Sequence, residues 1–173
     1  NSNLTLIVPA ISLEDLDSIV PDLQKYNITG MAKTNLSLER KEGDWSVNTE
    51  IFVPFINAKN EYNIKNLKSS FVYNFKNKQI EFKNISANFN DAEISGVGIL
   101  ESSSSDEKMN FTGTIKNADS SKFYNHVPFF KNMDMRTTAS GTWTIKGSTS
   151  NPLLQAKIAS DGGKFRNMTV DKF

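Results

Sequence analysis

The chain has no cysteine, a single histidine and no apolar run long enough to cross a bilayer. Each absence removes a class of function. Without cysteine there is neither a disulfide framework nor a thiolate metal site. His126 stands alone beside Val127-Pro128, so a histidine metal centre or a histidine-based triad has no partners, and it reads as a surface or capping residue. A spanning helix needs about 18 apolar residues or more. With none, and with no signal-peptide pattern, any membrane anchor is expected outside this segment. Charge of one sign is also scarce. Lys and Arg number 20 against 19 Asp and Glu, for a net charge of +1, and their scatter argues against a nucleic-acid footprint. Glu14, Asp15 and Asp17 sit at an expected helix start, where the macrodipole accounts for acids. Gly96-x-Gly98 lies within a strand and lacks the helix of a phosphate loop. No catalytic, cofactor or metal site is expected, and the chain reads as a non-enzyme. The six Asn-x-Ser/Thr sequons (Asn3, Asn27, Asn35, Asn84, Asn110, Asn167) match the chance expectation for a sequence so rich in Asn, Lys and Ser.

What is present is alternation with period two, unbroken from Leu67 to Ile115. Leu67, Phe71, Tyr73 and Phe75 share one parity, followed by Ile80 and Phe82, Ile85, Ala87 and Phe89, Ile94 and Leu100, and Met109, Phe111 and Ile115. That is strand spacing. The turns decide whether these runs face the same way. A two-residue turn at Asn77-Lys78 sets Phe75 opposite Ile80 and Tyr73 opposite Phe82, because directly opposed residues of an antiparallel pair share a face. Asn90-Asp91 sets Phe89 opposite Ala92, Ala87 opposite Ile94 and Ile85 opposite Gly96. The Ser-rich loop Glu101 to Lys108 then places Leu100 beside Met109. One apolar face results, and the other carries Lys68, Asn74, Lys76, Glu81, Lys83, Asn88, Glu93, Asn110, Thr112 and Lys116. Val72, Val97 and Ile99 fall on that polar side. Gly96, Gly98 and Gly113 lie on the apolar face, where a missing side chain permits a close approach. Either neighbouring rings fold over them, or they leave room in a Phe- and Ile-lined trough for an acyl chain.

Either side of this meander, strands alternate with short helical punctuation. Leu4, Leu6 and Val8 form a strand that Pro9 ends, and Ser12 caps a helix over Leu13 to Val20 that Pro21 limits. Leu36 and Leu38, then Trp45 to Val53, form a hairpin about Lys41 to Asp44. Pro54 to Ile56 make an irregular crossing. A second cap region, Asn117 to Ser121, precedes a helix over Ser120 to Val127 that ends at Pro128. Strands around Trp143 and Ile145, Leu154 to Ile158, and Phe165 to Val170 follow, with Asp161-Gly162-Gly163 as a tight turn. The pattern of strand, capped helix ending in Val-Pro, polar linker, Gly and strands occurs twice, about 110 residues apart. Such a repeat points to an elongated stack. The chain starts and stops inside alternating runs, so 1–173 is expected to be one segment of a longer repetitive protein, with units of roughly 4–117 and 118–173, the second incomplete. A step of apolar, Lys or Arg, Asn, apolar recurs at Ile64, Phe82, Ile115, Phe130 and Phe165. Asn tolerates left-handed backbone, so each step is expected to be a strand-bending bulge.

The run from Gly141 through Trp143, Gly147 and Pro152 to Ala156, and the turn and strand from Asn90 to Gly98, resemble the AsmA-like superfamily, most of all its TamB branch, whose units recur as Gly, strand, Gly, short loop, Pro, strand. The resemblance implies an all-β, mainly antiparallel fold: an elongated, curved, folded-over sheet, or β-taco, with an open greasy groove and here two short helices. It implies an inner-membrane-anchored protein of a diderm bacterium that bridges the periplasm and carries phospholipid acyl chains to the outer membrane. A barrel partner in outer-membrane protein assembly is a second implied role. The groove is then lined by Phe71, Tyr73, Phe75, Ile80, Phe82, Ile85, Phe89, Ile94, Gly96, Gly98, Leu100, Met109, Phe111, Gly113 and Ile115. Two other readings compete: a structural or adhesive β-repeat of a bacterial surface protein with a closed core and no lipid, and a scaffold that offers a sheet edge to client strands.

Overall fold

The computed structural model describes residues 2–15, 27–58, 62–101, 107–126, 128–166 and 168–170. They form one open, curved antiparallel sheet of ten strands in chain order. The strands are β1 (Ser2–Ser12), β2 (Thr29–Lys41), β3 (Asp44–Ala58), β4 (Tyr62–Asn74), β5 (Gln79–Phe89), β6 (Ala92–Glu101), β7 (Lys108–Asp119), β8 (Met135–Ser148), β9 (Pro152–Phe165) and β10 (Met168–Val170). Each pairs with its sequence neighbours, which leaves β1 as one edge. The other edge is β9, where β10 covers only Gly163 to Phe165.

Two hairpins form as their sequences dictate. Glu42-Gly43 and Asn90-Asp91 both have positive φ at the two central positions, the left-handed pair that matches strand twist. Thus Lys41 pairs with Asp44 and Phe89 with Ala92. The β4–β5 turn differs from expectation. Asn74 pairs with Gln79 and Tyr73 with Ile80, so the loop spans Phe75 to Lys78. Asn74 Oδ1 accepts from the backbone N–H of Lys76 and Asn77 at 2.9 and 3.1 Å, and the Phe75 N–H donates to the Trp45 carbonyl at 3.2 Å. These bonds hold the wider turn. A slip of two residues leaves every side chain on its expected face, but it takes Phe75 out of the ladder.

Proline breaks less than the sequence suggests. β1 runs through Pro9, which with Ala10 sits where the register slips between Val8 and Ile11; on an edge strand the missing N–H costs no ladder bond. β3 runs through Pro54, at the slip between the Gly30–Ile56 and Lys33–Phe52 pairs, so the irregular crossing is continuous strand. Pro128 starts a helix rather than ending one: α1 is Pro128–Asn132, in keeping with proline's fit to a first helical position. Before it, a 3-10 turn spans Ser120–Phe123, capped by Asp119, which accepts from the Ser121 N–H. Of the helix expected over Leu13 to Val20, the part from Leu16 onward lies outside the described residues, as does Val127.

The Asn steps are bulges at three of five sites. Asn66 (φ 53) and Asn117 (φ 56) are left-handed and sit at register slips, as do Lys83-Asn84 opposite Val97. Asn132 instead ends α1, and the Phe165 step is the β9–β10 turn, with Arg166 at φ 54. Asp161-Gly162 is also a bulge, not a turn: Thr137 pairs with Gly163 and Ala139 with Ser160 within one continuous strand. Because bulges bend strands and tighten their twist, the slips in β1, β3, β4, β7 and β9 bend the sheet in a band toward the end from which the β1–β2 and β7–β8 connections leave. Those connections are alike: after each bulge only Ile11-Ser12 or Ala118-Asp119 remain paired before the chain departs.

Candidate functional site: the inner face of the sheet

Three rows of directly opposed residues cross nine strands without a break. The first is Leu4, Leu38, Val47, Tyr73, Ile80, Leu100, Met109, Gly147 and Pro152. The second is Leu6, Leu36, Thr49, Phe71, Phe82, Gly98, Phe111, Ile145 and Leu154, and the third is Val8, Thr34, Ile51, Ser69, Ile85, Gly96, Gly113, Trp143 and Ala156. A shorter row follows: Ala87, Ile94, Ile115, Gly141 and Ile158. Successive members of each strand alternate with the intervening residues, so these rows make one face. Every groove residue expected from sequence lies in these rows except Phe75, which is 50% exposed in its turn with its ring edge-on to Tyr73 at 4.8 Å, and Phe89, which lies at the rim.

The opposite face is polar. Its rows include Glu39, Ser46, Asn74, Gln79, Glu101 and Lys108, and Ile7, Asn35, Glu50, Ser70 and Asn84. Ser95 and Thr114 share a hydroxyl hydrogen bond of 2.8 Å there. Val72 and Ile99 stand on this face beside Glu81.

Rings, not space, fill the glycine positions. A Cβ at Gly96 would meet the Trp143 indole at 2.8 Å, one at Gly113 would lie 2.6 Å from Trp143 Cε2, and one at Gly98 would lie 2.5 Å from Phe111 Cγ. Trp143 therefore lies flat across β7 and β6, fixed by donation from its Nε1 to the Thr114 carbonyl at 3.2 Å. This is the ring-over-glycine alternative, and it corrects the idea that the glycines leave room for cargo. Phe71, Phe82 and Phe111 make a chain of rings with centroids 5.4 and 5.3 Å apart. The inner face is thus an aromatic and aliphatic floor interrupted by Thr34, Thr49 and Ser69. Trp143, Leu36, Leu38, Val47, Leu154 and Ile158 extend it beyond the expected lining. Their own alternation is visible in the sequence, but which turn joins their strands to the central meander is not.

At one rim the 3-10 turn folds over the sheet. Phe123 and His126 pack on Phe89 at 5.6 and 5.4 Å, and Tyr124 donates its hydroxyl to the Met135 carbonyl at 2.8 Å. Lys122 pairs with Asp91 of the β5–β6 turn. Their hydrogen bond holds the Asp91 carboxyl below the usual carboxylate range and raises the Lys122 ammonium. Beneath, buried Ser120, Thr137 and Ser160 satisfy one another and nearby carbonyls. A depression of about 680 Å³ lies beside this cluster and is lined by polar groups including Asp119, Arg136 and Ser140, away from the apolar rows.

Among the described residues no large side chain is fully buried, and the only apolar residues in a core position are Ala32, Val53 and Ala92. Leu4 is 67% exposed at one edge of the inner face, and Leu154 and Ile158 are 65% and 53% exposed at the other. No described helix is long and apolar enough to cross a membrane, and no cluster of three described His, Cys, Asp or Glu residues could hold a metal. No family model, curated protein or solved structure matches the chain.

Proposed function

We propose that this chain is a segment of a non-enzymatic trough that carries phospholipid acyl chains between the inner and outer membranes of a diderm envelope, in a protein anchored elsewhere in its length. One observation carries the reading: an open, single-layer sheet has an apolar face nine strands wide with no second protein layer on it among the described residues. Apolar surface left to water costs about 25 cal/mol per Å², and exposed apolar patches of this extent mark a surface that meets something apolar. An acyl chain fits such a surface because it needs no directional partners. The reading of a closed-core β-repeat would need a layer facing these rows, and none is seen among the described residues.

Photo-crosslinking in cells tests this. A crosslinker at Ile94, Phe82 or Leu36 is expected to capture phospholipid, while one at Asn88, Glu81 or Ser37 is expected to capture little. Equal capture from both faces, or a purified chain without co-purifying or exchangeable lipid, refutes the trough.

A further inference from the structure

One inner position beyond the first row, the described residues bring a charged side chain onto the inner face. Arg40 is the next inner position after Leu36 and Leu38 on β2, and it pairs with Trp45 across the hairpin. Its guanidinium lies over the indole, 5.5 Å from the ring centroid. Among the described residues no carboxylate or other acceptor reaches it. Of the nearby acids, Glu39 pairs with Lys41 at 3.5 Å and Asp44 with Lys76 at 2.9 Å, while Glu42, left-handed in the hairpin turn, makes no ion pair with Arg40. An unpaired cation on an apolar face is costly unless it stays near water or meets an anion. Arg40 does stay near water: Trp45 is 38% exposed, at the rim formed by the β2–β3 turn.

Resting on the trough reading above, we propose that Arg40, held on Trp45, is the headgroup site: it binds the phosphate of an amphiphile whose acyl chain lies along Leu38 and Leu36. Stacking supports the guanidinium through its face, and its N–H donors form the planar fork that engages two oxyanion oxygens at once. Around it Trp45, Phe75 and Tyr73 make an aromatic border between wet turn and apolar floor, with Phe75 tied to Trp45 through the backbone. The indole N–H of Trp45 and the phenol of Tyr73 give two of these rings the polar edge that suits an acyl–headgroup boundary.

The test measures binding to the chain of three probes below their micellar concentrations: lysophosphatidylglycerol, an uncharged monoacylglycerol of the same acyl length, and glycerol 3-phosphate. The wild-type chain is expected to bind the lysophospholipid about tenfold more tightly than the monoacylglycerol, the scale of one charge-assisted hydrogen-bonded contact, and to bind glycerol 3-phosphate far more weakly than either. Arg40→Gln is expected to abolish the tenfold difference and leave monoacylglycerol binding unchanged, with Lys146→Gln on the outer face as control. A difference that survives in Arg40→Gln, or equal weakening of both amphiphiles, overturns the headgroup site. Wild-type binding of monoacylglycerol without phosphate preference overturns it as well while leaving the trough intact. Failure of both amphiphiles to bind refutes the trough itself, and tight binding of glycerol 3-phosphate replaces the amphiphile by a free phosphate ligand.

Discussion

If Trp143 is the floor plate over the glycines, then adding one methyl group beneath it should destabilise the sheet only while the indole is there. Gly96 is the position to use. A Cβ there would meet Trp143 Cζ2 at 2.8 Å and Cη2 at 2.9 Å, with the Thr112 carbonyl at 3.0 Å. Ordinary carbon contacts are about 3.5–4.0 Å, so the ring has to lift by about 1 Å. Lifting it breaks the 3.2 Å bond from Nε1 to the Thr114 carbonyl and unseats the ring from Gly113. Overpacking of this kind costs about 1–3 kcal/mol, offset by about 0.5–1 kcal/mol because alanine loses less backbone entropy in a strand than glycine. Gly96→Ala is therefore expected to destabilise by about 1–2 kcal/mol. In a Trp143→Ala background only the Thr112 contact remains, and the same substitution is expected to cost about zero, a coupling of about 1–2 kcal/mol. Gly113→Ala is the internal control, since its Cβ would also strike the backbone carbonyl of Ser95, which removing the indole leaves in place. Urea unfolding followed by far-UV circular dichroism gives the four stabilities. Equal cost of Gly96→Ala in both backgrounds refutes the seating argument.

Phe111→Arg puts a charge where an acyl chain would pass and should abolish lipid capture, whereas Thr112→Arg on the polar face should leave it; protease resistance and abundance of both proteins check that the sheet still forms. Asn117, left-handed at φ 56, should tolerate Gly and lose about 1–2 kcal/mol as Val, since a β-branched residue resists that conformation, again measured by urea unfolding. The Asp91–Lys122 pair predicts a titration. Asp91 has its carboxyl lowered from 3.8 by the Lys122 hydrogen bond, so its contribution to stability is complete above 3.8 and is lost as pH falls through the lowered value. Lys122→Ala should move the Asp91 titration back up toward 3.8, which carboxyl-resolved NMR detects.

The parity of each strand is legible because period two survives a register error of two residues: Tyr73 faces Phe71's side whether it pairs with Phe82, as expected, or with Ile80, as found. What the sequence hides is where the backbone supplies its own partners. Asn74, by satisfying two turn amides, widens a loop that Asn77-Lys78 alone does not announce. Pro9 and Pro54 read as strand ends when their missing N–H groups are counted as losses, yet each falls at a register slip where no ladder bond is due. Arg40 escapes notice for a related reason. Only the register that continues Leu36 and Leu38 past the expected strand, to the Arg40–Trp45 pair, shows that a charge has entered the apolar face.

The same register explains how a sheet with almost no core holds together. Most of its apolar contact is lateral, ring to ring along rows such as Phe71, Phe82 and Phe111, and cross-strand pairs of this kind contribute about 0.2–1 kcal/mol each. That suffices to specify one register, because a one-residue slip would carry an entire strand's apolar set to water. It does not suffice to dry the face, and the exposure of Leu4, Leu154 and Ile158 at the two edges is where lateral neighbours run out. An occupant on the face adds the missing layer and stabilises the sheet in proportion to its own affinity, by about 2.7 kcal/mol at a hundredfold excess over Kd. On the trough reading proposed above, cargo and fold would be thermodynamically linked: an acyl chain entering would do for the sheet what a second protein layer does in a closed sandwich, and one leaving would return it to a stability set by its rows of rings.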